Sequence, residues 1–496
     1  MADQTTTQTS QTGTSAAGSE NLLDQIIETG KLARDPTQVP YARDMVQEFV
    51  NQVIEQGQVV GTDTVAFINQ RIQEIDTLLS NQINLIIHDP AFQQLEGSWR
   101  GLSYLVMNTF TGTELKLRLL YATKAELLED LEKAVEFDQS QLFKKIYEAE
   151  YGTFGGHPYS CLIGDYDFGP LPQDMAFLNK MSGVAAAAFA PFIAAASPAM
   201  FNLDTFTNLG VPRDLAKVFD SVEYAAWTSF RETEDSRYVV LTLPRVLMRL
   251  PYGPNTVPVD GMNFVEDVNG ADNTKFCWGN TAYALGQRIT NAFFLYNWTA
   301  AIRGVEGGGL VEGLPAYTFT TTEGDIALKC PTEIAITDRR EKELSDLGFI
   351  ALCYCKGTDK AAFFGAQTVQ QPEIYNTSEA NSNAQLSARI TYILAASRFA
   401  HYIKSIMRDK IGSFMTKDNV ESYLQTWIAN YVLLNDNAPE ELKAAYPLRE
   451  ARVDVFDVPG SPGNYKATVF LRPHFQLEEL TASLRLVATL PPPANG

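Results

Sequence analysis

The chain is short of positive charge, cysteine, histidine and strongly apolar runs, and each shortage removes a class of function. Lys and Arg number 39 against 59 Asp and Glu, a net charge of −20 over 496 residues. A nucleic-acid coat or a general phosphate binder needs clustered cations that release counterions, so neither fits. Five cysteines (Cys161, Cys277, Cys330, Cys353 and Cys355) are a sparse and odd set, and the N-terminus MADQTTTQTSQTG lacks a basic-then-apolar leader pattern. Both point to a reducing cytosol. One uncharged window, 181–203, is long enough to span a bilayer but is mostly Ala, with Ser182, Gly183, Pro191, Ser197 and Pro198. It reads as a tightly packed core helix running into a strand, and no membrane insertion is expected.

The chemical motifs are equally thin. The run Gly304 to Gly313 looks like a phosphate loop but fits neither GxxxxGK[ST] nor GxGxxG, since Glu312 stands where a glycine is needed. Its expected role is a tight turn requiring positive φ or close backbone approach. Cys353 and Cys355 sit in an apolar, strand-like run without a second ligand pair, so they read as small buried hydrophobes rather than a zinc site. The histidines His88, His157, His401 and His474 are isolated in sequence. A cytosolic α/β enzyme using His157 or His401 with nearby carboxylates is the rival reading. No cofactor or metal is expected. The mixed-charge run Thr337 to Glu343 reads as a solvated helix start or, in an assembly, as ion pairs between subunits.

What is present is a globular composition, 45% apolar and 11% aromatic, in a chain long enough for two or three structural units. Residues 1–18 are rich in Thr, Gln, Ser, Gly and Ala and form a tail. Over 19–35 Leu22, Leu23, Ile26 and Ile27 make one apolar stripe on a helix too short to be stable alone. It is either docked on its own core or a tethered peptide that folds into a partner's groove. Over 40–150 amphipathic helices are expected near 42–56 and 63–87, the second carrying Ile68, Ile72, Ile75 and Leu79 in a stripe that needs covering. A further helix opens at Asp89-Pro90 with Phe92, Leu95, Trp99, Leu102 and Val106 inward; GTELKLRLLYA alternates as a strand; and Thr123 with Glu126 forms a capping box. Residues 151–375 mix β-rich runs with helices, an α+β or mixed α/β body. Residues 376–490 hold helices near 384–410 and 417–433, then strands at 451–458, 465–472 and 481–490; 491–496 is a tail. The last strand is free to pair with another molecule's sheet edge.

Several long runs have a more specific resemblance. HDPAFQQLEGSWRGLSYL (88–105), IGDYDFGPLPQDMAFL (163–178), FRETEDSRYVVLTLPRVLMRLPYG (230–253), AAIRGVEGGGLVEGLPAYTF (300–319), CPTEIAITDRREKELSDLGFI (330–350), SRFAHYIKSIMRDKIGSF (397–414) and FLRPHFQLEELTASLRLVATLP (470–491) resemble the large subunit of the bacterial type VI secretion contractile sheath, the TssC/VipB family. The resemblance covers roughly four-fifths of the chain. It implies a contractile phage-tail-sheath-like fold with a C-terminal gpW/gp25-like module and no catalytic site. It implies heterodimers with a small sheath subunit (TssB/VipA), packed through Ile68, Ile72, Ile75 and Leu79 and stacked as a six-start helix around an Hcp tube, with a baseplate at one end. Strand exchange between copies is expected to involve Val453, Val455, Val469, Leu471, Leu484 and Leu486. Leu22, Leu23, Ile26 and Ile27 resemble the segment that a ClpV ATPase recognises, and Lys404, Arg408 and Lys410 are candidates for the tube contact. A single-chain phage-like tail sheath is the related alternative.

Overall fold

The structure is a computed structural model. It describes residues 35–55, 64–211, 213–413, 415–460 and 465–474, with 25, 27–29, 32, 33 and 476. Leu22, Leu23, Ile26, Leu484 and Leu486 lie outside the described residues, as does the strand expected at 481–490. Residues up to Leu79 form one unit and those from Ser80 another.

The first unit contains α1 (Val39–Glu55) and most of α2 (Thr64–Ile87), close to the two expected helices. The second opens with α3 (Pro90–Met107), whose Asp89 side chain caps the first turn by accepting from the Ala91 and Phe92 amides. α4 (Lys124–Lys133) starts on the expected capping box, with the Thr123 hydroxyl accepting from the Glu126 amide and the Glu126 carboxylate from the Thr123 amide. A π-helix follows at Lys144–Tyr151.

The body is a six-stranded sheet in the order β1 (Leu162–Phe168), β2 (Phe192–Ala196), β3 (Val239–Leu243), β9 (Phe349–Tyr354), β10 (Ala361–Phe363) and β6 (Leu310–Val311). The first four strands are parallel and the last pairings antiparallel. Short antiparallel pairs β4 (Val246–Leu247) with β5 (Trp278–Gly279) and β7 (Thr318–Thr320) with β8 (Ile326–Leu328) lie beside it. Both faces are covered, which is why the strands read as continuous apolar runs. Val239 and Leu241 join Phe349 and α5 (Pro172–Ala188) in one core, while Val240 and Ile350 join α6 (Ala282–Tyr296) in the other. The uncharged window 181–203 is the second half of α5 running into β2, as its composition implied. α7 (Asp338–Asp346) precedes β9 and is capped by Thr337.

The C-terminal part contains α8 (Ser378–Ser387), α9 (Ile390–Lys410), α10 (Lys417–Ala429) and the antiparallel hairpin β11 (Leu448–Asp457) with β12 (Tyr465–Pro473). Trp298, Phe399, Leu424, Ile428, Val453 and Val455 form its core. The helix expected from 384 is therefore two helices, broken at Ala388 and Arg389.

Three expectations fail. GTELKLRLLYA is not a strand of any sheet; Leu119 and Tyr121 are exposed. Only Cys353 of the Cys353/Cys355 pair is buried, because β9 ends at Tyr354. The stripe assigned to the inner face of α3 is largely the outer one, with Leu95 at 55% and Trp99 at 59% exposure, while Gly97, Gly101 and Leu105 are buried. The cause is close approach: a Cβ on Gly97 would overlap the Trp278 carbonyl oxygen, and one on Gly101 the Tyr283 ring. Glycine at steps of four lets the helix backbone lie against β5 and α6.

Gly97→Ala is therefore expected to cost about 1–3 kcal/mol through overpacking. Gly112→Ala, where an added Cβ meets nothing within 4 Å, is the control. Denaturant midpoints of the two variants check this, and equal midpoints would remove the close-packing account of α3.

Candidate assembly surfaces

A buried ionic cluster holds α3 in place. Arg249 Nε lies 2.7 Å from Glu96 Oε1, and its Nη1 lies 2.6 Å from Glu266 Oε2. Arg100 Nε is 2.7 Å from the same Glu96 oxygen, and the Tyr252 amide donates to Glu266 at 2.8 Å. His88 Nε2 is 3.3 Å from Glu266 Oε1. Burial by itself raises the Glu96 carboxyl pKa, but the hydrogen bonds and charges of Arg249 and Arg100 outweigh it and hold it below the ordinary 4.5. Burial likewise opposes the Arg249 charge, and its bonds to Glu266 and Glu96 more than compensate, raising its pKa. The cluster joins α3 to the loop after β4, so the orientation of the outward stripe is fixed by charge as well as by glycine.

That stripe is an unusual surface for a folded chain. Leu95, Trp99, Val106 and Met107 are exposed along α3. On the first unit's part of α2, Ile68, Ile72, Ile75 and Leu79 are each between 42% and 49% exposed. Runs of exposed large apolar side chains of this kind mark interaction surfaces.

The second candidate surface is a sheet edge. Val453 and Val455 of β11 are buried, and Val469 and Leu471 of β12 pack partly buried on the same core. Their side chains serve the chain's own hairpin; what remains for another strand is backbone. The outer edge of β11 is closed by α10: the Val453 amide donates to Gln425 Oε1 at 3.0 Å, Gln425 Nε2 donates to the Ala451 carbonyl at 3.2 Å, and the Val455 amide donates to Glu421 at 3.0 Å. Residues opposite one another in an antiparallel pair share hydrogen-bonding state. The partners of Ala451, Val453 and Val455 are Leu471, Val469 and Ala467, so these three point their backbone groups away from the hairpin. Among the described residues no strand pairs with that edge.

The positive end of α9 is engaged within the chain. Lys404 Nζ lies 3.5 Å from the Tyr151 ring centroid and donates to the Tyr147 hydroxyl. Arg408 donates to the Tyr151 and Thr153 carbonyls, both at 2.8 Å, and Lys410 stands over the Tyr423 ring. The Thr337–Glu343 run also finds partners inside the chain: Arg340 meets Glu343 at 2.6 Å and donates to the Arg213 carbonyl, and Glu343 accepts from the Leu215 amide. Ile27 is buried. His401 is buried with Nε2 2.9 Å from the Ala188 carbonyl, and burial lowers its pKa to about 4; His157 is exposed, 3.2 Å from Lys116. The glycine loop is a turn, with Gly304, Gly308 and Gly313 at positive φ. No helix among the described residues is long and apolar enough to cross a membrane, and no group of three metal-ligating side chains occurs among them.

Residues 69–370 match a family model described as EvpB/VC_A0108, tail sheath N-terminal domain, and residues 379–490 match one described as EvpB/VC_A0108, tail sheath gpW/gp25-like domain. Type VI secretion system sheath protein TssC1 of Pseudomonas aeruginosa is 51% identical over 452 residues, 90% of each chain. Two solved structures are distant likenesses. One is a chain of the anti-feeding prophage baseplate, TM-score 0.34 at 10% identity, covering 63% of this chain and 66% of that one. The other belongs to an extracellular contractile injection system, the PVC sheath complex in its contracted state, TM-score 0.34 at 9% identity, covering 62% and 68%.

The cluster on α3 generates a pH dependence. Because the folded-state pKa of Glu96 is depressed, its contribution to stability is present above about 4.5 and is lost as pH falls below that value. Glu96→Gln is expected to cost about 3–5 kcal/mol at neutral pH by leaving buried cations short of a partner. Its stability should then fall less steeply on acidification than the parent's. Parallel pH profiles from chemical denaturation would show that the cluster is not the source.

Proposed function

The chain belongs to the TssC/VipB family of contractile tail sheath proteins, and from that premise we propose that it is the large sheath subunit that polymerises with a small partner around a secreted tube. It is a type VI secretion sheath subunit by its 51% identity to TssC1 across nine-tenths of both chains, the observation that carries the reading. The finer assignments are ours.

In this reading the small subunit covers the apolar stripe Ile68, Ile72, Ile75 and Leu79, and the outward face of α3 with Leu95 and Trp99 forms a second contact. The open edge of β12 takes the 481–490 segment of a neighbouring copy as an added strand. Strand addition supplies main-chain hydrogen bonds that hold subunits together while their bodies rotate. Contraction then draws on metastable packing set at assembly, with the chain acting as a structural element rather than an enzyme. Lys404, Arg408 and Lys410 of α9 are proposed to face an Hcp tube; within the chain Lys404 and Arg408 also hold the π-helix end and Lys410 lies over the Tyr423 ring. Leu22, Leu23, Ile26 and Ile27 are proposed as the ClpV segment, and a baseplate as the partner at the sheath end.

Co-expression with a small sheath subunit should give tubules by electron microscopy; a soluble, monodisperse chain without tubules refutes the reading. Ala467→Pro removes one outward donor without touching the hairpin's own bonds. It is expected to leave heterodimers and abolish long tubules, as is deletion of 481–496, whereas intact tubules in both would eliminate strand exchange at this edge.

For the ATPase segment, Leu23→Asp with Ile27→Asp should abolish ATPase pulldown while tubules still form. Loss of tubules would instead assign this helix a structural role.

A further inference from the structure

The segment 115–123, between α3 and α4, has the residues of a strand but no strand beside it. It contains neither helix, turn nor bend. Leu115, Leu117, Leu119 and Tyr121 alternate along it with Lys116, Arg118 and Leu120. Among the described residues, no backbone amide or carbonyl from Lys116 to Tyr121 is hydrogen-bonded to another backbone group. Bonds occur only at the two ends, where the Leu115 carbonyl accepts from the Gly112 amide at 2.9 Å and the Ala122 carbonyl accepts from the Tyr166 hydroxyl at 2.7 Å. A straight row of unpaired N–H and C=O groups is the template on which another chain adds a strand.

Side chains hold the segment in place without using that template. Lys116 Nζ lies 3.2 Å from His157 Nε2, and Arg118 pairs with Glu150 and stands 5.6 Å from the Tyr159 ring centroid. Glu150 also accepts from the His157 amide at 2.7 Å. Lys116 and Arg118, two residues apart, thus reach the same loop, as the period of a strand requires. Just past the segment, Lys124 donates to the Asp167 carbonyl of β1 at 2.9 Å and to Asp174 at 2.7 Å. The backbone is therefore ordered before any partner arrives, which removes a large part of the entropic cost of strand addition. In a strand, successive residues direct their backbone groups to opposite sides. The Ala122 carbonyl faces Tyr166 of β1, so Leu117, Leu119 and Tyr121 direct theirs away from it.

The surroundings indicate which chain supplies the strand. Val106 and Met107 are exposed at the end of α3, Phe110 is exposed and stacks on Phe294 at 4.3 Å, and Leu119 and Tyr121 are exposed on the segment itself. Exposed apolar side chains therefore follow one another from the outward face of α3 into the segment. In an acidic chain the stretch 114–124 is basic, with Lys116, Arg118 and Lys124 against Glu114. We propose that 115–122 is an edge to which the small sheath subunit adds a strand, one with apolar residues at alternate positions and a carboxylate opposite Lys116 or Arg118. This rests on the sheath reading, and it gives the contact at α3 a main-chain component separate from the open edge of β12.

Hydrogen exchange followed by mass spectrometry, on the full-length chain alone and on the heterodimer, tests the assignment. Peptides covering 115–122 should exchange as unprotected amides in the chain alone and about tenfold or more slowly in the heterodimer. Leu119→Pro removes an outward amide that has no bond within the chain, so it should leave the denaturation midpoint unchanged and weaken the heterodimer about tenfold or more. Leu119→Thr, which keeps the amide, should retain most of the affinity. Equal losses in the two variants would make this a side-chain contact and overturn strand addition. A heterodimer in which 115–122 stays unprotected overturns the proposal and leaves the sheath reading standing. Protection that rises with the concentration of the chain alone, or that appears only in tubules, assigns the edge to another copy and overturns the small subunit as its occupant. Absence of any heterodimer sinks the sheath reading and this proposal together.

Discussion

The packing of α3 against β5 and α6 is the constraint on which the outer surface depends. Two glycines let the helix backbone come close enough to exclude any side chain between them, and Arg249 bridges Glu96 to Glu266 at its end. Neither device alone fixes which way the helix faces. A smooth glycine face permits sliding and rotation, while a buried charge cluster tolerates only a narrow geometry, since each cation must keep its partners in low dielectric. Together they commit the small residues inward and leave Leu95 and Trp99 in solvent. Ordinary amphipathic reasoning places the bulky apolar side chains inside; here the inner contact is made by backbone, so the bulky side chains remain exposed.

The same division between side chain and backbone governs the C-terminal hairpin. Its valines and leucines face the core shared with Trp298 and Phe399. Glu421 and Gln425 occupy the donors and acceptor along β11 much as a neighbouring strand would, which prevents pairing on that side. β12 has no equivalent cover among the described residues. An asymmetric ribbon of this kind leaves backbone donors and acceptors without a strand partner on one edge.

Much of the body was legible in the sequence because its signals are local. The capping box at Thr123, the helix-to-strand passage at 181–203, the glycine turn and the two hairpin strands all rest on residues adjacent in sequence. The facing of α3 was not legible, because the apolar stripe is real and only the presence of Trp278 and Tyr283 opposite Gly97 and Gly101 decides against it. The alternation at 112–122 failed for the same reason: period two shows that a strand can form, not that an edge is available to it. Cys355 lies one residue past the end of β9, where a face assignment no longer holds.

The joint between body and C-terminal part determines what motions the chain can make. A π-helix is wider than an α-helix, and its final turn presents carbonyls that no following turn satisfies. Arg408 donates to the Tyr151 carbonyl at its end and to the Thr153 carbonyl just beyond it, while Lys404 lies against the Tyr151 ring and bonds the Tyr147 hydroxyl. Both cations come from α9, whose Phe399 belongs to the hairpin core and whose His401 bonds the end of α5. One helix is therefore tied at successive turns to the hairpin, to the sheet layer and to the π-helix. Flexing that joint would strand charged groups away from their aromatic and carbonyl partners at several points together. Within the unit from Ser80 onward, these ties couple the body to the C-terminal part at several points together.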